Sequence, residues 1–386
     1  MLKITIDATP IMPEQSGVGF HVLNLINSLY YLQSSEQFQL FIAYQPRLIN
    51  WLKNNRYVPL LLEQYTNTTV IPLPVRLSNL LVNLSPQLFS FYLEKYLDTP
   101  DIVHGTNHSV YPYLSSRRVL NIYDLAFEKY PQYVDSVAKN YKRQIQQNLQ
   151  WTDLILTSSE SSKKDIIEYL QVDPKIVYVT PLASRYHSDY LCNVEFSALQ
   201  NQINYNFDKP YLLFVSTIEP RKNITNLITA FNLLKQKQAI EHNLVLIGKK
   251  GWSYKPIFTA IENSLWKNDI HHLDYLSDEL VALFYAKANV FVYPSYYEGF
   301  GLPVLEAMTL GAPVVTSNTS SIPEVAGDAA LLIDPNDPIQ LADAILKVIS
   351  DSQLRQDLII KGKERAKLFS WERTAKETLN AYKSLF

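Results

Sequence analysis

Short apolar runs alternate with helical patterns along this chain, and they do so in two series. The first series has strand-like runs at residues 2–7, 39–43, 70–71, 102–104, 119–123, 154–157 and 177–182, many of them rich in β-branched and aromatic side chains. Helical patterns lie between them, notably at 20–32, 77–97 and 137–150. The second series starts at 211–216 and continues at 244–247, 271–273, 290–293, 313–316 and 330–333. Strand alternating with helix predicts parallel sheets covered on both faces. Residues 184–210, between the series, are polar, rich in Asn, Gln and Ser, and without a clear period, which suits a linker. With 386 residues available, the expectation is an α/β protein of two doubly wound domains, residues 1–190 and 205–369. Ligands of such sheets bind beyond the carboxyl ends of the strands.

Residues 293–308, YPSYYEGFGLPVLEAM, carry the first chemistry. A strand turns through Ser295, Tyr296 and Tyr297 to Glu298, passes Gly299, Phe300 and Gly301, and enters a helix at Leu302 and Pro303. Proline suits the start of a helix, where its missing N–H costs nothing. The N–H groups of Gly301, Leu302 and Val304 are then expected to lack partners, which makes an anion site, for phosphates above all. A diphosphate there would have Glu298 at one end and Glu306, one turn into the helix, at the other. Carboxylates accept hydrogen bonds from hydroxyls, so Glu306 could take a ribose and Glu298 a sugar to be transferred. Two solvent glutamates on a capped helix are the simpler alternative, less comfortable beside the glycines and proline.

A second candidate follows the run at 211–216. Arg221 and Lys222 precede Asn223 and a helical pattern from 224 to about 234. Adjacent cations at such a helix start can neutralise a departing nucleoside diphosphate, with arginine offering a bidentate fork. A surface charge pair is the alternative. No two aspartates stand two positions apart, and the seven histidines have no ligand spacing. A metal-independent site is therefore expected, without a cofactor, its charge carried by cations and helix dipoles. Gly17 and Gly19 form only part of a dinucleotide fingerprint, and a helix entry needing positive φ explains them as well.

The net charge of −2, with no basic run beyond pairs such as Arg117-Arg118, gives no footing for nucleic acid. The single cysteine, Cys192, excludes an intrachain disulfide. No apolar run is long enough to span a bilayer, and residues 1–7 lack the features of a signal peptide, so a cytoplasmic location is expected. Residues 77–97 carry Leu80, Leu81, Leu84, Leu88, Phe89, Phe91, Tyr92 and Leu93. Peripheral contact with the inner face of the cell membrane would use such a surface. The lack of a basic polar face favours instead a core-facing helical pair broken near Pro86.

The 293–308 stretch resembles the signature of retaining GT-B glycosyltransferases, family 4 in particular: two glutamates with seven residues between them, and Gly-Phe-Gly after the first. EPRKN at 219–223 and TSNTSSIPEVAGDAA at 316–330 resemble further segments of that family. The first half matches loosely, through IDATP, HGTN, YDLAF and TSSESSKKDI. The resemblance implies two Rossmann-like domains facing across a cleft, acceptor on the first and nucleotide sugar on the second, with the last helix, 370–386, returning to the first. It implies Glu298, Arg221 and Lys222 as catalytic residues. Donor contacts would come from Glu306, Gly299, Phe300, Gly301 and Leu302, from Gly17 and Gly19 across the cleft, from Lys249, and from the backbone at Tyr275 and Leu276 around the base. The loops after two first-half strands put His104, Asn107, His108, Tyr123 and Asp124 on the acceptor side. Many relatives have His-Asp where this chain has Tyr123-Asp124, and tyrosine can donate a hydrogen bond but does not take up and release a proton at neutral pH. By position, His104 or His108 is the substitute. The implied reaction is retaining transfer of a hexose to a hydroxyl of a saccharide or lipid-linked saccharide, as in polysaccharide synthesis. UDP-glucose is the first donor expected and GDP-mannose the second. Two other readings stay open: a nucleotide-sugar epimerase or hydrolase of this fold, and a non-catalytic sugar-nucleotide-binding scaffold.

Overall fold

Seven strands of the first half are Leu2–Asp7 (β1), Phe38–Tyr44 (β2), Thr68–Val70 (β3), Ile102–Gly105 (β4), Arg117–Asn121 (β5), Leu154–Thr157 (β6) and Val177–Val179 (β7). They are seen in a computed structural model that describes residues 1–12, 16–53, 58–134, 136–192 and 194–386. All pair in parallel, in the order β3-β2-β1-β4-β5-β6-β7. The second half repeats the arrangement with Tyr211–Val215 (β8), Asn243–Ile247 (β9), Ile270–Leu273 (β10), Val290–Tyr293 (β11), Val314–Ser317 (β12) and Ala330–Ile333 (β13). Their order is β10-β9-β8-β11-β12-β13, again all parallel. In each sheet the order reverses beside its first strand, between β1 and β4 and between β8 and β11. A crevice opens at such a point, because the helices on either side depart to opposite faces.

The strand sequences explain their burial. Strands covered on both faces need near-continuous apolar runs, and Leu212, Leu213, Phe214, Val245, Leu246, Phe291 and Val292 are all fully enclosed. Ile4 and Ile6 of β1 anchor the first core, with Val22, Leu25 and Ile26 of the helix Gly17–Glu36. Ala375, Leu379 and Tyr382 of the last helix, Trp371–Lys383, complete that core. Ser370 caps this helix by accepting from the Arg373 N–H at 3.1 Å.

Residues 184–210 are not a bare connection. Leu182 and Tyr186 already belong to the second core, and a short helix, Phe196–Gln200, packs Leu199 on Leu280 and Leu283. The helical pair at 77–97 breaks as expected, into Val75–Leu84 and Pro86–Leu97. Its expected core-facing character is only half right. Val82, Phe89, Leu93 and Leu97 pack inward, whereas Leu84, Leu88 and Phe91 are each 74% exposed. Among the described residues no helix is long and apolar enough to cross a membrane.

Candidate active site

The loop after β11 sets the centre. Glu298 is buried, and its Oε1 accepts from Lys222 Nζ at 2.7 Å, Tyr293 Oη at 2.9 Å and Ser295 Oγ at 2.5 Å. Arg221 Nη1 lies 3.1 Å from Oε2. Burial alone would raise this carboxyl, but the Lys222 and Arg221 charges overcome it and hold the group down at about 2. Lys222 is itself enclosed; burial and the neighbouring guanidinium pull its ammonium below the ordinary range, with Glu298 opposing them. Arg221 is a brace as well as a charge: Nη1 donates to the Tyr297 carbonyl at 2.6 Å and Nη2 to Glu219 at 2.8 Å. The signature stretches lead one to expect a sugar-facing glutamate separate from diphosphate-facing cations. In the structure they form one cluster.

Beyond Glu298, the backbone N–H groups of Gly299, Phe300, Gly301 and Leu302 meet no acceptor among the described residues. Val304, expected to join them, instead donates to the Gly301 carbonyl at 3.0 Å. The Phe300 ring packs against Phe369 and is buried, which leaves its backbone as the part facing any ligand. Gly301 has φ +113°, and a Cβ there would stand 2.9 Å from Ile322 Cδ1. Gly301→Ala is expected to cost about 1–3 kcal/mol in urea unfolding; an unchanged midpoint would mean the loop relaxes freely.

Glu306 lies one turn into the helix Leu302–Thr309 and is 1% exposed. Burial pushes its carboxyl up, and the charge of Arg185 acts against that. Arg185 Nε donates to Glu306 at 2.7 Å and Nη1 to Asp278 at 2.8 Å. Its guanidinium also lies 5.4 Å from the centre of the Phe20 ring, in the other half. Lys249 Nζ sits 4.6 Å from the centre of the Tyr275 ring, beyond β9 and β10, and Leu276 packs against the second core.

On the first-half side the picture changes. Gly17 and Gly19 form the first turn of the helix Gly17–Glu36 and not a loop before it. Neither has positive φ, and Ser16 Oγ caps the Gly19 N–H at 3.1 Å. His104 is a correction: it lies inside β4, fully buried, with Nε2 at 3.0 Å from Asn121 Oδ1 and Nδ1 at 2.7 Å from Tyr382 Oη. Both nitrogens are used, so it does not face the cleft. Tyr123 is similarly occupied, donating to the Thr106 carbonyl at 2.8 Å and meeting His21 Nδ1 at 2.7 Å. Asp124 caps the Ala126 N–H at 2.9 Å. His108 remains. Its ring lies against Tyr123 and Tyr141, its Nδ1 has no partner among the described residues, and burial brings its pKa down to about 4 although Asp124 opposes this. It is a neutral imidazole at pH 7. Asn107 lines a cavity of about 790 Å³ at the carboxyl ends of β1, β2 and β4, with Asp7, Gln45, Asn79 and Tyr111. Among the described residues no group of three His, Cys, Asp or Glu could hold a metal ion.

The family model for glycosyl transferases group 1 matches residues 196–365. The O-antigen chain mannosyltransferase B of Escherichia coli is 33% identical over the whole length of both chains. The chain is a group 1 glycosyltransferase. The MMP alpha-(1->4)-mannosyltransferase of Mycolicibacterium hassiacum is 29% identical over 59% of this glycosyltransferase and 53% of its own length. Among solved structures, the sucrose-phosphate synthase of Thermosynechococcus elongatus superposes with a TM-score of 0.74 at 20% identity, covering 100% of this chain and 99% of that one. The glycosyltransferase thus has the GT-B fold.

Some residues of its site had no sequence signal. Arg185 stands in the aperiodic polar stretch. Tyr293 and Ser295 lie within the signature stretch, but only the folded loop turns their hydroxyls onto Glu298.

Proposed function

We propose that this glycosyltransferase moves mannose from GDP-mannose to a hydroxyl of a lipid-linked saccharide, with retention at the anomeric carbon, in the building of an O-antigen or similar polysaccharide. The full-length mannosyltransferase relative carries this reading, and it reverses the order of donors that the family resemblance implies. The second half takes the nucleotide sugar and the first half the acceptor.

The diphosphate lies on the N–H groups of Gly299 to Leu302, with Gly17 and Gly19 approaching from the other half. Glu306 accepts from the ribose, and Lys249, Tyr275 and Leu276 surround the base. Glu298 accepts from the mannose hydroxyls and stabilises positive charge developing at the anomeric carbon. Lys222, with Arg221 behind it, stabilises the departing diphosphate. The bond from the anomeric carbon to the phosphate oxygen breaks. The acceptor oxygen bonds on the same face, and its proton passes to a diphosphate oxygen. His108, neutral and with a spare nitrogen, orients a sugar hydroxyl where relatives use the histidine that Tyr123 replaces.

The acceptor saccharide enters the cavity beside Asn107. The exposed Leu84, Leu88 and Phe91, with Ile49 and Leu52 also exposed, rest on the membrane that holds the lipid carrier. Thermal unfolding with GDP, UDP, ADP, GDP-mannose, UDP-glucose, UDP-galactose and UDP-N-acetylglucosamine tests the donor. Guanine nucleotides alone are expected to raise the midpoint by mass action. A shift confined to uridine nucleotides would replace mannose by glucose or a relative of it, and no shift at all would overturn the donor site.

A further inference from the structure

Three hydroxyls from the first half converge on one carbonyl of the second. Ser158, Ser159 and Ser162, at the start of the helix Glu160–Leu170, donate to the Gly299 oxygen at 3.0, 2.8 and 3.1 Å. Glu324 answers in the opposite direction. Its two carboxylate oxygens accept from the Glu160 and Ser161 N–H groups at 2.8 and 2.6 Å, which satisfies donors that a helix start otherwise leaves orphaned. Tyr297 Oη adds a donation to Asp165 at 2.8 Å in the same region. All these bonds cross between the halves, and two of the second-half residues, Tyr297 and Gly299, flank Glu298.

Peptide geometry gives the contact a consequence. The Gly299 carbonyl and the Phe300 N–H belong to one planar trans unit, so they point in opposite directions. Hydroxyls that hold the carbonyl on one side therefore aim the N–H to the other. That N–H is one of the four consecutive groups without an acceptor among the described residues. Gly299 also packs tightly against the first half, since a Cβ there would stand 2.5 Å from the Tyr123 oxygen.

We propose that Ser158, Ser159, Ser162 and Glu324 form a clasp between the halves that orients the diphosphate-binding N–H groups, so that the donor diphosphate binds tightly only when the clasp is made. These are positioning residues, and the inference rests on the donor site described above. Because coupling between two equilibria is reciprocal, bound nucleotide in turn favours the clasped arrangement.

The test uses whichever nucleoside diphosphate stabilises the wild-type protein, beside its nucleoside, in titration calorimetry. Ser159 is left intact because it also caps its own helix by accepting from the Ser162 N–H at 3.0 Å. Ser158→Ala/Ser162→Ala and, separately, Glu324→Gln are expected to weaken the diphosphate about tenfold while the nucleoside binds as before. Ser158→Thr, which keeps the hydroxyl, is expected to retain wild-type affinity and to show that the site tolerates substitution. Diphosphate affinity within about twofold of wild type in both variants would overturn the clasp alone. So would an equal loss for nucleoside and diphosphate, the signature of general damage. A wild-type protein that binds no nucleotide would instead overturn the donor site itself, before any variant is made.

Discussion

Lys222→Ala is expected to slow glycosyl transfer by about 100- to 1,000-fold, the range found when one preorganised donor to a developing anion is removed. The ammonium is fixed by Glu298 and the Tyr293 hydroxyl, so no reorganisation is needed when the leaving group acquires charge. Removing one member of a buried ion pair costs about 3–5 kcal/mol of stability. Arg221 still lies 3.1 Å from Glu298, which puts the variant at the low end. Initial rates with donor and acceptor, together with urea unfolding, separate the two effects. A folded variant with the wild-type rate would remove Lys222 from the catalytic set. Acid unfolding gives an independent check. Glu298 is held near 2, below its ordinary 4.5. Its stabilisation is therefore complete above the ordinary carboxylate range and is lost as pH falls toward 2. Without Lys222 the carboxyl rises, and the acid transition should begin at higher pH.

Arg185→Ala is the second large effect expected. It leaves Glu306 buried without its cation at a cost of about 2–4 kcal/mol, moderated because Arg185 keeps 32% of its side chain exposed. Burial already pushes the Glu306 carboxyl up, and removal of Arg185 pushes it further. The folded variant then holds a proton that the unfolded chain releases, so its stability falls as pH rises, relative to the wild type. In the proposed donor site, a protonated Glu306 is also a poorer acceptor for a ribose hydroxyl. Donor KM in the variant should therefore be highest at low pH and improve as pH rises, against a flatter wild-type profile. Parallel profiles for the two proteins would show that Arg185 does not govern the charge on Glu306.

Much of the fold was legible because burial on both faces forces apolar strands, and helix crossovers force the alternation. The glutamate loop was legible because glycines, a proline and two carboxylates occur together within a few residues. What stayed hidden depends on partners distant in sequence. Arg185 meets Glu306 across 121 positions and Tyr123 meets His21 across 102, and neither pairing leaves a local pattern. His104 misled for a different reason: β4 runs to Gly105, one residue beyond the expected strand end. The serines of TSSESSKKDI were visible only as a resemblance, since a hydroxyl does not announce which carbonyl it will hold. The identity of the sugar has no single-residue signature here.

The polypeptide passes between its two halves twice, once near Pro181–Ser184 and once just before Trp371. These crossings are bonded to each other: Trp371 Nε1 donates to the Ser184 carbonyl at 3.0 Å and Thr374 Oγ1 to the Pro181 carbonyl at 2.5 Å. A single tether would act as a ball joint and let the halves swivel in every direction. Two tethers fastened side by side oppose twist and favour one swing, like a door on two pins, and such a swing returns the facing loops of the two halves to the same register.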